Sequence, residues 1–309
     1  MNRISFHGFL LVAGCFGLLS ACSSAEKKEV ESESFDLKTH DLAKVADRPN
    51  GLEGPAVWDG ILYFVNADRN GNICRLDLST NEFSVLVESL PNGSFGNGIR
   101  FNKAGEMFVA DYTNHNVLKV DPANGNVSVY AHEDGMNQPN DLAISSNGTL
   151  FASDPNWGEG TGNIWRIDTD GSVNLLESGM GTTNGIEVAP GDKIMYVAES
   201  VQRNVWAYDL SPEGAISNKR LHIKFEYFGM DGMRCDEKGN LYITRHGKGV
   251  IAMVSPAGEL IREIQTTGKK TSNIAFGGKD GKTGYITLQD RGYIEAFEVP
   301  YKGKSQSGL

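Results

Sequence analysis

Along most of this chain, short apolar runs alternate with turns built from Gly, Asn and Asp, and no window carries the long 3.6-residue period of an amphipathic helix. The stretch after Phe95 shows the pattern most plainly. Asn97–Phe101 predicts a strand, Lys103-Ala104-Gly105 a turn, Met107–Asp111 a second strand and Val117–Asp121 a third. Asn124-Gly125 is a hairpin turn of the kind that needs positive φ, and Val127–Tyr130 predicts a fourth strand. The same layout recurs after Asn140, Asn184 and Asp231. Six short polar residues open the units: Glu53, Asn97, Asn140, Asn184, Asp231 and Asn273, separated by 44, 43, 44, 47 and 42 residues. A pitch in the forties with four short strands per unit predicts an all-β, six-bladed β-propeller. The unit at Asn273 runs out after three strands, while a spare strand-like stretch, roughly Asp41 to Ala46, precedes the first unit. The N-terminal strand is therefore expected to complete the last blade, which closes the ring and hides sheet edges.

The first residues do not fit this pattern. Residues 1–21 carry Arg3, an apolar stretch from Phe9 to Leu19 and then small residues, which reads as a signal peptide too short to span a membrane. Leu19-Ser20-Ala21-Cys22 resembles the lipobox of bacterial lipoproteins, with the cysteine where signal cleavage should fall. The resemblance implies lipidation of Cys22, whose several acyl chains would anchor the mature chain stably. Ser23 after that cysteine is similar to outer-membrane sorting signals, so the expected place is the bacterial cell envelope, on the outer membrane facing the periplasm. Residues 22–36 are rich in Ser, Glu and Lys and read as a flexible tether, leaving 37–309 for the propeller.

Composition removes several function classes. The formal net charge is −10, or −11 once Arg3 leaves with the signal, and no basic cluster exists. Nucleic acid is therefore not an expected partner. Besides Cys15 and Cys22 the cysteines are Cys74 and Cys235, in different strand layers of non-adjacent blades, which predicts buried free thiols rather than a disulfide. The chain is expected to be a monomer.

In a propeller the six opening residues converge on one axis. Glu53 and Asp231 bring carboxylates there; Asn97, Asn140, Asn184 and Asn273 bring amide oxygens. Hard oxygen donors without nitrogen or sulfur favour Ca²⁺, Mg²⁺ or Mn²⁺ over Zn²⁺ or Cu²⁺, with Ca²⁺ the first expectation and Zn²⁺ the last alternative, and two carboxylates would neutralise one dication. The competing reading is that Asn and Asp merely cap turns.

Leu52-Glu53-Gly54-Pro55, Gln138-Pro139-Asn140-Asp141, Thr183-Asn184-Gly185-Ile186, Met230-Asp231-Gly232-Met233 and Asn273-Ile274-Ala275-Phe276-Gly277-Gly278 stand in order across roughly residues 50–300. Together they resemble the motifs of the gluconolactonase, senescence marker protein (regucalcin) and luciferin-regenerating enzyme family. The resemblance implies a divalent-metal-dependent lactonase acting on a small-molecule lactone, such as a sugar lactone opened to an aldonic acid. It implies metal ligation by Glu53, Asn184 and Asp231, with Asn140 as a fourth ligand or a substrate contact. Asp231 also matches the proposed proton donor and acceptor. Gln138 departs from the animal members, which carry a sugar-contacting Arg there.

The pocket rim is expected from loops after each second strand: Asp68 and Arg69, Asp111 to His115, Asp154 to Glu159, Glu199 to Arg203, Arg245 and His246, and Gln289 to Arg291. Trp157 is expected as a flat wall for substrate, His246 as a substrate contact and second acid or base, and Asn97 and Asn273 as substrate contacts lining the pocket. Two other functions fit the same residues: aryl-ester or phosphotriester hydrolysis at the same metal, and non-catalytic binding of a sugar or protein by a cell-surface propeller. Carboxylates at units one and five favour the enzyme, since a plain scaffold needs no charge there.

Overall fold

The computed structural model describes residues 38–47, 51–67 and 71–304. The signal peptide, Cys22 and the tether lie outside the described residues, as do Asp68 and Arg69. The described strands form six four-stranded antiparallel sheets arranged as the blades of a propeller. In blade two, for example, Gly96–Phe101, Met107–Asp111, Asn116–Val120 and Val127–His132 follow one another from the axis outward.

Adjacent blades share their cores. Ala56, Tyr63 and Val65 of blade one pack with Ile99, Phe101 and Val109 of blade two, and five similar clusters complete the circuit. Each blade thus buries its faces only against its neighbours, so the ring has to close. It closes as expected. The N-terminal strand His40–Lys44 pairs antiparallel with Tyr293–Glu298 as the outermost strand of blade six. Arg291 fixes the seam, donating to Asp41 through two nitrogens at 2.6 and 2.7 Å and to Glu295 at 2.7 Å. Glu295 is fully buried and also accepts from Thr39 and from Thr267 N. Cys74 and Cys235 are buried free thiols, as expected.

The structure refines where the six opening residues sit. Four of them lie inside the innermost strands, at bulges, rather than ahead of them. The register shifts between Glu53 and Ala56, Gly96 and Ile99, Thr183 and Ile186, and Thr271 and Asn273. The extra residues take in Asn97 and Asn184 and re-aim their side chains, while Glu53 and Asn273 keep their ladder partners Val65 and Thr287 beside the bulge. Asn140 and Asp231 do precede their shorter inner strands, Leu142–Ile144 and Met233–Cys235.

A glycine after four of the six opening residues explains how closely the strands meet. A Cβ on Gly54 would lie 1.9 Å from Asn97 O, one on Gly185 2.4 Å from Asp231 O, and one on Gly232 1.9 Å from Asn273 Cγ. On Gly98 it would lie 2.6 Å from Asp141 Oδ1. Gly98 N donates to Asn140 O at 2.8 Å and Gly232 N to Ser272 O at 2.7 Å, so neighbouring inner strands are also bonded near the axis. Only glycine permits that approach.

Arg291→Met removes the cation beside buried Glu295 and is expected to cost about 2–3 kcal/mol. Asp41→Asn, at a side chain 40% exposed, should cost under about 1 kcal/mol. Urea unfolding of both variants checks the ranking.

Candidate metal and active centre

The axial ends of the inner strands open into a cavity of about 400 Å³ that draws residues from all six blades. Its lining includes Glu53, Asn97, Asn140, Asn184 and Asp231, so five of the six opening residues meet there. Asn273 is not among them. Its Oδ1 accepts from Ile274 N at 2.9 Å and its side chain packs on Gly232, so it braces the junction of blades five and six. That position corrects its expected role as a substrate contact.

The two carboxylates are electrostatically strained. Burial, then the charge of Asp231, holds the Glu53 carboxyl well above the usual range, against the donations of Gly54 N and Gln289. Burial pushes Asp231 up to about 8, with the Asp141 charge adding to it and a hydrogen bond from Asn184 opposing it. Asn184 Oδ1 is buried and has no hydrogen-bond partner among the described residues. An orphaned carbonyl oxygen beside two carboxylates is the donor set a hard dication takes. Glu53, Asn140, Asn184 and Asp231 therefore fit one divalent cation, with oxygen donors alone. Among the described residues no group of three or more His, Cys, Asp and Glu could hold a metal, so the fit here rests on amide as well as carboxylate oxygens.

The walls divide in two. Phe95, Tyr112 and Trp157 make an aromatic side, with Tyr112 hydrogen-bonded to Trp157. Ser200, His246 and Gln289 make a polar side. Gln289 Nε2 donates to Glu53 Oε1 at 3.0 Å, and Gln289 Oε1 lies 3.2 Å from His246 Nε2. An amide oxygen can only accept, so Nε2 carries the imidazole proton. Burial holds the His246 pKa below its ordinary value. His246 thus lies in the pocket as expected, but its Nε2 orients Gln289, which in turn orients Glu53.

The expected rim carboxylates behave differently. Asp111 accepts from Ser94 Oγ, Phe95 N and Asn116 Nδ2. Asp154 accepts from Asn137 N, Gln138 N and Trp165 Nε1. Glu199 accepts from Gly181 N and Asn204 Nδ2. These buried acids tie loops together; the neighbours Tyr112 and Ser200 reach the cavity.

A second tier of charge below the cavity escaped the sequence reading. Three residues after Asn97, Asn184 and Asp231 stand Arg100, Glu187 and Arg234, all buried near the axis. Asp141 takes the position that glycine holds in blades one, two, four and five. Its two oxygens lie 3.2 Å from Arg100 Nη2 and 3.2 Å from Arg234 Nη1. The signal was available: a single charged residue inside an otherwise apolar inner strand, at one fixed offset in three units.

A carboxyl whose pKa is raised on folding favours the folded state below its unfolded pKa, and that advantage is lost as pH rises through the folded value. For Asp231 the window runs from 3.8 to about 8. The Tm of EDTA-treated protein should therefore fall between about pH 5 and 8. Asp231→Asn should flatten that slope, and a divalent cation should oppose it increasingly as pH rises. Differential scanning calorimetry across pH checks all three.

Residues 52–290 match the SMP-30/gluconolactonase/LRE-like region model. The chain is 31% identical over 270 residues to the gluconolactonase of Zymomonas mobilis, covering 76% of this chain and 75% of that protein. It is 30% identical over 299 residues to the diisopropyl-fluorophosphatase of Loligo vulgaris, covering 86% and 94%. Among solved structures, the calcium-binding regucalcin of Agrobacterium tumefaciens superposes with a TM-score of 0.76 at 19% identity, over 88% of this chain and 96% of that one. The motif order, the propeller and these matches agree: the chain belongs to the SMP-30, gluconolactonase and luciferin-regenerating enzyme family.

Proposed function

We propose that this protein is a divalent-metal-dependent hydrolase that opens a lactone ring, with a sugar lactone converted to its aldonic acid as the gluconolactonase-like case. The observation that carries the reading is the pairing of Glu53 and Asp231 with the unpartnered Asn184 Oδ1 at the base of one cavity. The likeness to a gluconolactonase over three quarters of both chains supports it. Ca²⁺ is the first candidate, supported by the oxygen-only donor set and by the calcium-binding neighbour.

A bound dication would supply Lewis acidity toward the lactone carbonyl and its oxyanion. The protein's own groups do the rest. Asp231, a member of the ligand set, is the group placed to take a proton from attacking water or to pass one to the leaving ring oxygen. Gln289 holds Glu53 in place, and Trp157 with Tyr112 offers a flat surface to the substrate ring. The aromatic side and the likeness to diisopropyl-fluorophosphatase favour a second reading, hydrolysis of an aryl ester or phosphotriester at the same centre.

In the same reading the protein works at the bacterial cell envelope, anchored by lipid on Cys22. Support comes from the order of Arg3, the apolar stretch and Leu19-Ser20-Ala21-Cys22.

A panel of lactones, aryl esters and phosphotriesters, assayed with Ca²⁺, Mg²⁺, Mn²⁺ and Zn²⁺, separates these readings. Asp231→Asn and Glu53→Gln should lower kcat/KM by about 10²–10⁴, and chelation should abolish turnover. Full activity in both variants sinks the metal reading. Metal binding without turnover of any substrate points instead to a non-catalytic binding propeller. Cys22→Ser should shift the protein from the detergent to the aqueous phase in Triton X-114 partition; no shift would remove the lipid anchor.

A further inference from the structure

A second cavity lies away from the metal centre. Later residues of the inner strands of blades one, four, five and six line it, and its volume is about 600 Å³. Trp58, Phe276 and Tyr285 give it aromatic walls, while Glu187, Arg234 and Lys304 stand among its polar lining. A volume in this range suits a small organic molecule.

Lys304 reaches this place from the end of a strap. Its backbone N donates to Cys235 O at 2.9 Å, and Glu237 N donates to Lys302 O at 2.8 Å, so the strap crosses from blade six to blade five. Its Nζ then donates to Glu187 Oε1 at 3.1 Å, to Ile144 O at 3.2 Å and to Val188 O. The ammonium is therefore fully bonded.

Charge does not balance around it. Three cations, Arg100, Arg234 and Lys304, share two carboxylates, Asp141 and Glu187, and no side chain of the five is more than 11% exposed. Asp141 is divided between the two arginines, and Glu187 Oε2 lies 3.9 Å from Arg234 Nε, beyond hydrogen-bond reach. Arg234 Nη2 has no hydrogen-bond partner among the described residues. Burial and then the Arg234 charge pull Arg100 down to about 10, which still leaves it a cation at neutral pH. A buried guanidinium with an unused donor and one surplus positive charge calls for an anion.

We infer that this lower cavity binds a small organic monocarboxylate with a flat apolar body, its carboxylate on Arg234 and its body between Trp58, Phe276 and Tyr285. The other charged residues of the lining, Asp59 and Lys279, cancel, so one negative charge matches the surplus. A phosphate dianion would overshoot it beside Glu187 and Asp141, and a neutral ring would leave Arg234 Nη2 unsatisfied. The site is separate from the metal centre and holds whether or not that centre hydrolyses lactones.

Isothermal titration of the metal-loaded protein with phenylacetate, and with 2-phenylethanol as its neutral counterpart, tests this. One phenylacetate should bind per chain, at least about tenfold more tightly than the alcohol, the worth of one charged hydrogen bond. Lys304→Met removes the surplus charge and should erase that preference. Ser79→Trp, at an exposed rim position, should block both ligands without touching the charges. A crystal soaked in phenylacetate should show it against Trp58 and Arg234. Absence of saturable binding, equal affinity for the two probes, or binding lost in Trp157→Ala but kept in Ser79→Trp would each overturn the inference.

Discussion

Everything in this structure depends on how closely the six innermost strands meet at the axis. Gly54, Gly98, Gly185 and Gly232 have no Cβ, and any Cβ there would strike the opening residue of the next blade or its neighbour. That missing atom lets four of the six blades lean closely on the next and brings five polar opening residues to one cavity. The bulges that take in Asn97 and Asn184 lift those two side chains out of the ladder toward the cavity, and a third bulge directly after Glu53 bends its strand there. Fold and site are set by the same contacts, because the site is the place where the blades touch.

Below that point the axis becomes an alternating column of charge. Glu53 and Asp231 stand uppermost, Asp141 and its two arginines beneath, and Glu187 with Lys304 at the lower cavity. Buried ionic groups of this kind add little net stability but leave few alternative arrangements. The column also stands between the two cavities: the Asp141 charge helps raise Glu53 and Asp231, while one of its partners, Arg234, lines the lower cavity.

Much of the fold could be read from the chain. The pitch between Glu53 and Asn273 set the blade number, and the unmatched stretch near Asp41 anticipated the closing strand that pairs with Tyr293–Glu298. The site was less legible. Asn273 shares the spacing of the other five, yet its side chain turns back to Ile274 N. Asp111, Asp154 and Glu199 looked like rim acids and proved to be loop braces, because a carboxylate ending a strand is surrounded by free backbone N–H groups. Gln289 gave no sequence signal for holding Glu53, since the two lie 236 positions apart.

The sequence by itself determined what depends on periodicity and residue chemistry. The six blades follow from repeat length, and the oxygen-only donor set follows from which residues recur at that period. Only the tertiary structure decided which donors face the cavity, which carboxyls are pushed up and where charge is left unbalanced. Those properties arise from distances between blades and from burial. A one-dimensional pattern places residues along a strand; the strength of an ion pair or the pKa of a carboxyl depends on what the neighbouring strand brings within a few ångströms.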